Sequence, residues 1–162
     1  MKRYIRSAVS SILDEPESVQ EEIARETSNV EVLKALLEAR PMDKPYNYTL
    51  CADIARNPSA DTDILMSLID HPARYVRAAV ASNPNTTVDM LWKLSDDDEE
   101  QVLCSILINP NVSEDIIKKL ANSNDINVKL DALEKLGFTI STDAFGYTTI
   151  NGEPYNHFLN YV

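Results

Sequence analysis

The chain has 162 residues, with 15 Lys and Arg against 26 Asp and Glu, a formal net charge of −11 and a pI near 4.5. This length supports one domain with a sizeable core. The charge disfavours binding to nucleic-acid phosphate, which needs clustered Lys and Arg, whereas it maintains solubility and suits a basic partner.

No apolar run reaches the roughly 20 residues of a membrane-spanning helix. The basic start Met1-Lys2-Arg3 leads into a stretch broken by Ser7, Ser10 and Ser11 and then into Asp14 and Glu15, so no secretory apolar core forms. A cytoplasmic protein is expected. Cys51 and Cys104 are the two cysteines; they stand about two repeats apart, too far for a bridge whose Cα atoms must lie within about 7 Å. Both are expected to be reduced and buried.

In chain order, the apolar spacing predicts a helix over residues 3–13, with Ile5, Val9, Ile12 and Leu13 on one stripe, ending at Asp14-Glu15-Pro16. Pro16 suits the first position of a second helix. Glu15 and Glu17 favour its positive dipole end, and Val19, Ile23 and Ala24 form its apolar face. Ser28 or Asn29 caps a third helix over residues 30–39, with Val32, Leu33, Leu36 and Leu37 as its stripe. Pro41 then ends it. The loop at 40–48, with two prolines and two tyrosines, is read either as a functional insertion or as a spacer.

Beyond this loop a period becomes visible. Asn57-Pro58, Asn83-Pro84 and Asn109-Pro110 recur every 26 residues, which signals a helical repeat array. In the first helix of each unit Leu50, Val76, Val102 and Val128 align, as do Ile54, Val80, Ile106 and Ala132, and Ala55, Ala81, Leu107 and Leu133. Positions i, i+4 and i+5 share a helical face, so these are core columns. The proline of each pair ends the first helix, and its asparagine is left to satisfy backbone groups in the turn or to pair with the next unit's asparagine. Asp61, Thr87 and Ser113 are N-cap residues of the second helices, and Asp63, Asp89 and Asp115 follow in the first turn, where the dipole favours them. The pair at 16–39 is a degenerate first unit: Ile23-Ala24-Arg25 matches Ile54-Ala55-Arg56 at an offset of 31, and Val32 matches Ile64 at 32.

A last helix over 126–136 closes at Gly137. All three glycines and Phe138, Phe145, Tyr147 and Tyr155 lie beyond Leu136. β-prone runs at 138–142 and 147–150 predict a small hairpin. Its preferred role is a terminal cap, and the alternative is a partner-binding tail. The pattern predicts an all-α chain of about four to five two-helix repeats, an α-solenoid with a C-terminal β-hairpin or irregular cap. One domain covers 1–162: N-terminal helices, first unit and loop at 1–48, regular repeats at 49–137, and the cap at 138–162.

The run Val76-Arg77-Ala78-Ala79-Val80-Ala81-Ser82-Asn83-Pro84-Asn85-Thr86, followed by Leu91 and Leu94, resembles the leucine-rich repeat variant family. The resemblance covers 50–136 well and 19–39 poorly. It implies two helices per repeat in a right-handed superhelix, similar in logic to HEAT and armadillo solenoids. Some members carry a cysteine-rich iron–sulfur segment, which two isolated cysteines do not match.

No reactive constellation stands out. His71 and His157 lack ligand spacing, and there is no phosphate loop or nucleophile elbow. An enzyme, a cofactor and a metal site are therefore not expected. Asp96, Asp97, Asp98, Glu99 and Glu100 lack the alternating ligands and central glycine of a calcium loop, and are read as capping the next helix and leaving an acidic ridge. Trp92 occupies the column of Met66 and Lys118, which flanks the core, and Leu103 sits in a column otherwise held by Cys51, Arg77 and Lys129. Trp92, Met66, Leu103 and the five acidic residues are the candidate protein-binding set, because tryptophan at a half-exposed position is a suitable interface anchor.

The expected function is a non-catalytic protein–protein interaction module with an unknown, basic partner. The alternative is an acidic inhibitor or immunity-type protein that blocks a basic nucleic-acid-binding surface. A helical-repeat enzyme that excises bases fails on charge, since only Arg56, Arg74, Arg77 and Lys93 are placed to line a groove.

Overall fold

The computed structural model describes residues 10–39, 47–144 and 148–154. Residues 10–13 are helical and lead into α1 (Glu17–Glu26) and α2 (Val30–Ala39). There follow α3 (Tyr48–Arg56), α4 (Thr62–Leu68), α5 (Arg74–Ser82), α6 (Val88–Leu94), α7 (Glu100–Ile108), α8 (Glu114–Leu120) and α9 (Ile126–Lys135). Three short strands close the described chain: β1 (Ile140–Thr142), β2 (Thr148–Ile150) and β3 (Glu153–Pro154), antiparallel in the order β1-β2-β3. The protein is thus mostly helical with a small antiparallel sheet at its C-terminal end. The expected start of the first helix and most of the loop at 40–48 lie outside the described residues.

Packing follows the columns. The odd-numbered helices form a row in which α1 meets α3, α3 meets α5, α5 meets α7 and α7 meets α9. Small side chains permit this: Ala52, Ala55, Ala78, Ala79 and Ala81 are buried in α3 and α5, so neighbouring backbones approach closely. The seven-residue helices α4, α6 and α8 lie beside this row, and each faces it with an apolar pair and a leucine. Ile64, Leu65 and Leu68 do so from α4, Met90, Leu91 and Leu94 from α6, and Ile116, Ile117 and Leu120 from α8. At ~25 cal/mol per Å² of apolar surface, each fully buried leucine or isoleucine contributes about 1.5–3 kcal/mol.

The turns join one unit to the next. Asn57, Asn83 and Asn109 end α3, α5 and α7 in extended conformations, as a residue before proline prefers. All three are buried, at 3%, 1% and 1% exposure. Asn83 Nδ2 donates to Ala55 O (2.7 Å) and Asn57 O (2.9 Å) of the preceding unit, and Asn109 Nδ2 donates to Ala81 O (2.7 Å) and Asn83 O (2.8 Å). Each side-chain oxygen accepts from the backbone two residues ahead, at Ser59, Asn85 and Asn111. Asn57 repeats the arrangement on the first unit, donating to Ala24 O (2.7 Å) and Thr27 O (2.8 Å). The degenerate unit is therefore tied in by the same bonds, although Thr27 stands where an asparagine would. A second ladder runs alongside: Asn85 Nδ2 reaches Pro58 O and Ala60 O, and Asn111 Nδ2 reaches Pro84 O and Thr86 O.

The caps of α4, α6 and α8 match the sequence, but two expectations fail: the acidic run supplies no side-chain cap to α7, whose N-cap residue is Glu99, and Pro16 stands at the N-cap of α1 rather than at its first helical position. Asp61, Thr87 and Ser113 each accept from a backbone N–H three residues on, and Asp125 caps α9 in the same way. Asn29 accepts from Glu31 N at the start of α2.

At the C-terminal end Ile140 pairs with Ile150 and Thr142 with Thr148, as the expected hairpin requires. β3 is an addition: Asn151 (φ 52) and Gly152 (φ 83) make the tight turn that folds it onto β2. Ile150 is fully buried in the helical core, with Phe138 and Ile140 packed against it, so the sheet is anchored rather than free. Of the cysteines, Cys51 is buried as expected, whereas Cys104 is only partly buried, because its side of α7 faces a gap before α9.

Candidate protein-binding surface

α6 is a short helix whose Met90, Leu91 and Leu94 face inward. The opposite stripe, four residues apart, therefore carries Val88 and Trp92 into solvent, at 45% and 47% exposure. Met66 holds the column of Trp92 one unit earlier, on α4, and is 53% exposed. Three large apolar side chains thus stand on the outer side of α4 and α6, where folding supplies no covering element among the described residues. Lys118, the next position in the column, pairs with Glu114 at 2.6 Å.

Trp92 has a cation beside its ring. Lys119 Nζ lies 4.8 Å from its ring centroid, and the same ammonium bonds Asp96 Oδ1 at 2.6 Å and Ser95 Oγ at 2.8 Å. A cation over an exposed indole is worth about 0.5–1 kcal/mol. The two oxygen partners place the ammonium over the ring, which favours this orientation of the indole by a small margin. Favouring one orientation in this way slightly reduces the entropy lost on association. The unit before has the equivalent cross-unit ion pair, Lys93 Nζ to Asp70 Oδ2 at 2.6 Å, but Met66 stands where the indole would.

The acidic run divides by role. Asp97 receives both Nε and Nη2 of Arg77 on its two oxygens, and its Oδ1 also accepts from Glu99 N. Arg77 in turn donates to His71 O and Pro72 O, joining the loops that precede α5 and α7. The pair is largely enclosed, with the side chains 18% and 8% exposed, and the bond to Asp97 raises the Arg77 pKa further. Asp96 serves Lys119, Glu99 pairs with Arg74 at 3.4 Å, and Glu100 accepts from Asn127 at 2.9 Å. Asp98 points into solvent. Four of the five carboxylates are thus engaged with neighbouring units, and only part of the ridge remains open to a partner.

Leu103 is buried, at 7% exposure, and offers no accessible side chain. Its column is polar in α5 and α9, but α7 lies between those helices and the side that carries Leu103 is covered. Val88 and Ile108 are exposed apolar residues outside the candidate set. Ile108 is 75% exposed, in a column that otherwise holds Arg56, Ser82 and Glu134; an apolar residue in a polar column is the signal that points to it.

Neither thiol is poised for chemistry. Burial pushes the Cys51 pKa up to about 11, and burial together with Asp131 raises that of Cys104. Among the described residues no three His, Cys, Asp or Glu side chains converge as metal ligands, and no helix is long and apolar enough to cross a membrane. His157 lies outside the described residues. No family model, curated protein or solved structure matches this chain.

Proposed function

We propose that the protein is a non-catalytic protein–protein interaction module, a right-handed α-solenoid of the leucine-rich repeat variant type whose outer α4–α6 face binds a partner. The observation that carries the reading is the exposed indole of Trp92, with Lys119 over its ring and Val88 and Met66 beside it. Tryptophan is among the residues most enriched at binding hot spots, and truncating one there commonly costs about 2 kcal/mol or more of affinity. Asp98, exposed at the edge of this face, suits a partner with Lys or Arg around an apolar centre. The repeat reading is supported by the 26-residue period and by the cross-unit asparagine ladders.

The test is capture of a partner from the source cell by wild-type chain and by Trp92→Ala. A partner held equally well by both removes the basis for this face. The alternative, an acidic blocker of a basic surface, rests on the net charge of −11; it requires affinity that falls steeply with salt, whereas an indole-centred contact persists.

A further inference from the structure

We infer that a second docking site lies away from the Trp92 face, in the groove between α7 and α9, and that it takes a basic amphipathic peptide segment, with apolar side chains flanked by Lys or Arg. This inference does not rest on the Trp92 face. Its origin is in the columns. Where α3 and α5 have Ala52, Ala55, Ala78 and Ala81, α7 and α9 carry Cys104, Leu107, Leu130 and Leu133. Larger side chains at the contact positions set two helices further apart, and a groove of about 340 Å³ opens between them, lined by Cys104, Leu107, Ile108, Asp131, Glu134 and Lys135.

The lining states what fits. Ile108, at 75%, is the most exposed of the large apolar side chains among the described residues, and stands on the rim beside the buried Leu107 and the partly buried Cys104. Asp131 and Glu134 form the facing wall against a single ammonium, Lys135. Asp131 Oδ2 lies 3.9 Å from Cys104 Sγ, and Glu100 and Asp125 add negative charge at that end. An apolar strip bordered by carboxylates complements a helix with leucine-like residues on one stripe and cations beside it. An acidic segment would be repelled, and a purely apolar one would leave the wall carboxylates without partners.

The probe is a fluorescein-labelled peptide of about 14 residues with Leu at i, i+4, i+7 and i+11 and Lys between, tested by fluorescence anisotropy against full-length protein, with the Glu-for-Lys peptide as control. Ile108→Ser keeps the net charge and alters a solvent-facing side chain, and circular dichroism checks its fold. The Lys peptide is expected to bind, the Glu peptide not, and Ile108→Ser to weaken binding about tenfold while Trp92→Ala leaves it unchanged. Bound peptide is also expected to slow alkylation of Cys104 by iodoacetamide. Four results overturn the inference: no binding; equal binding by Ile108→Ser, which marks diffuse charge attraction; loss through Trp92→Ala instead; or a self-association in sedimentation that Ile108→Ser abolishes, which makes a second copy the occupant.

Discussion

Asn83 joins two units through one side chain: its amide nitrogen bonds two carbonyls of the unit before, and its oxygen bonds the backbone of its own turn. The side chain is buried, so removing it leaves polar backbone groups that water does not readily reach. With about 1–3 kcal/mol for each unsatisfied buried group, Asn83→Ala is expected to lose roughly 2–4 kcal/mol in urea unfolding, even though alanine is a better helix former. The period of these asparagines is legible in the Asn-Pro spacing, but the direction of their bonds is not, because sequence does not show which unit's carbonyls lie within reach. The second ladder has a faint signal in Asn85 and Asn111, two residues beyond, which Ser59 is too short to share. In the acidic run, adjacent residues are expected to diverge. Asp97→Ala leaves Arg77 enclosed without its carboxylate and is expected to cost about 2–4 kcal/mol, whereas Asp98→Ala stays within about 0.5 kcal/mol. Five consecutive acids look alike in sequence, and only the reach of Arg77, Lys119, Arg74 and Asn127 from other elements separates them.

Secondary elements are the most legible level, since their ends are set by local chemistry. Asp61, Thr87 and Ser113 cap where their side-chain oxygens can reach the third helical residue, and the prolines stop the helices. β3 is not legible despite Asn151-Gly152, a pair suited to left-handed backbone, because Glu153 and Pro154 are both residues that strands disfavour. Gly152 has φ 83, and no neighbouring atom lies within 4 Å of where a Cβ would stand, so its substitution is costly through backbone strain alone. Gly152→Ala is expected to lower stability by about 1 kcal/mol, read as a lowered urea midpoint. Between elements, Lys34 on α2 reaches Asp61 at the cap of α4 at 2.7 Å, and its hydrogen bond holds the Asp61 carboxyl below its ordinary pKa. A depressed folded-state value means that this contribution is present above the ordinary carboxylate range and is lost as pH falls through the folded value. Lys34→Met is therefore expected to be less stable than wild type at neutral pH, with the difference vanishing in strong acid, as measured by urea unfolding across that range.

At the scale of the whole molecule, the odd-numbered helices form one row, packed closely through small residues where α3 and α5 meet, and Val88, Trp92 and Met66 stand exposed on the even-numbered helices α6 and α4. The candidate surface is partly legible: Trp92 and Met66 stand out by column, yet burial of Leu103 and exposure of Ile108 depend on which neighbours flank a helix, and a single unit's sequence does not carry that. Because Trp92 is the only tryptophan, its fluorescence reports the proposed contact without a label. The most direct test of the interaction reading is iodide quenching of Trp92, alone and with a co-purified partner, alongside capture by Trp92→Ala. The expected result is an indole that iodide quenches in the free protein, becomes shielded in the complex, and whose removal weakens capture at least about tenfold. Equal quenching with and without the partner, together with undiminished capture by Trp92→Ala, would contradict it.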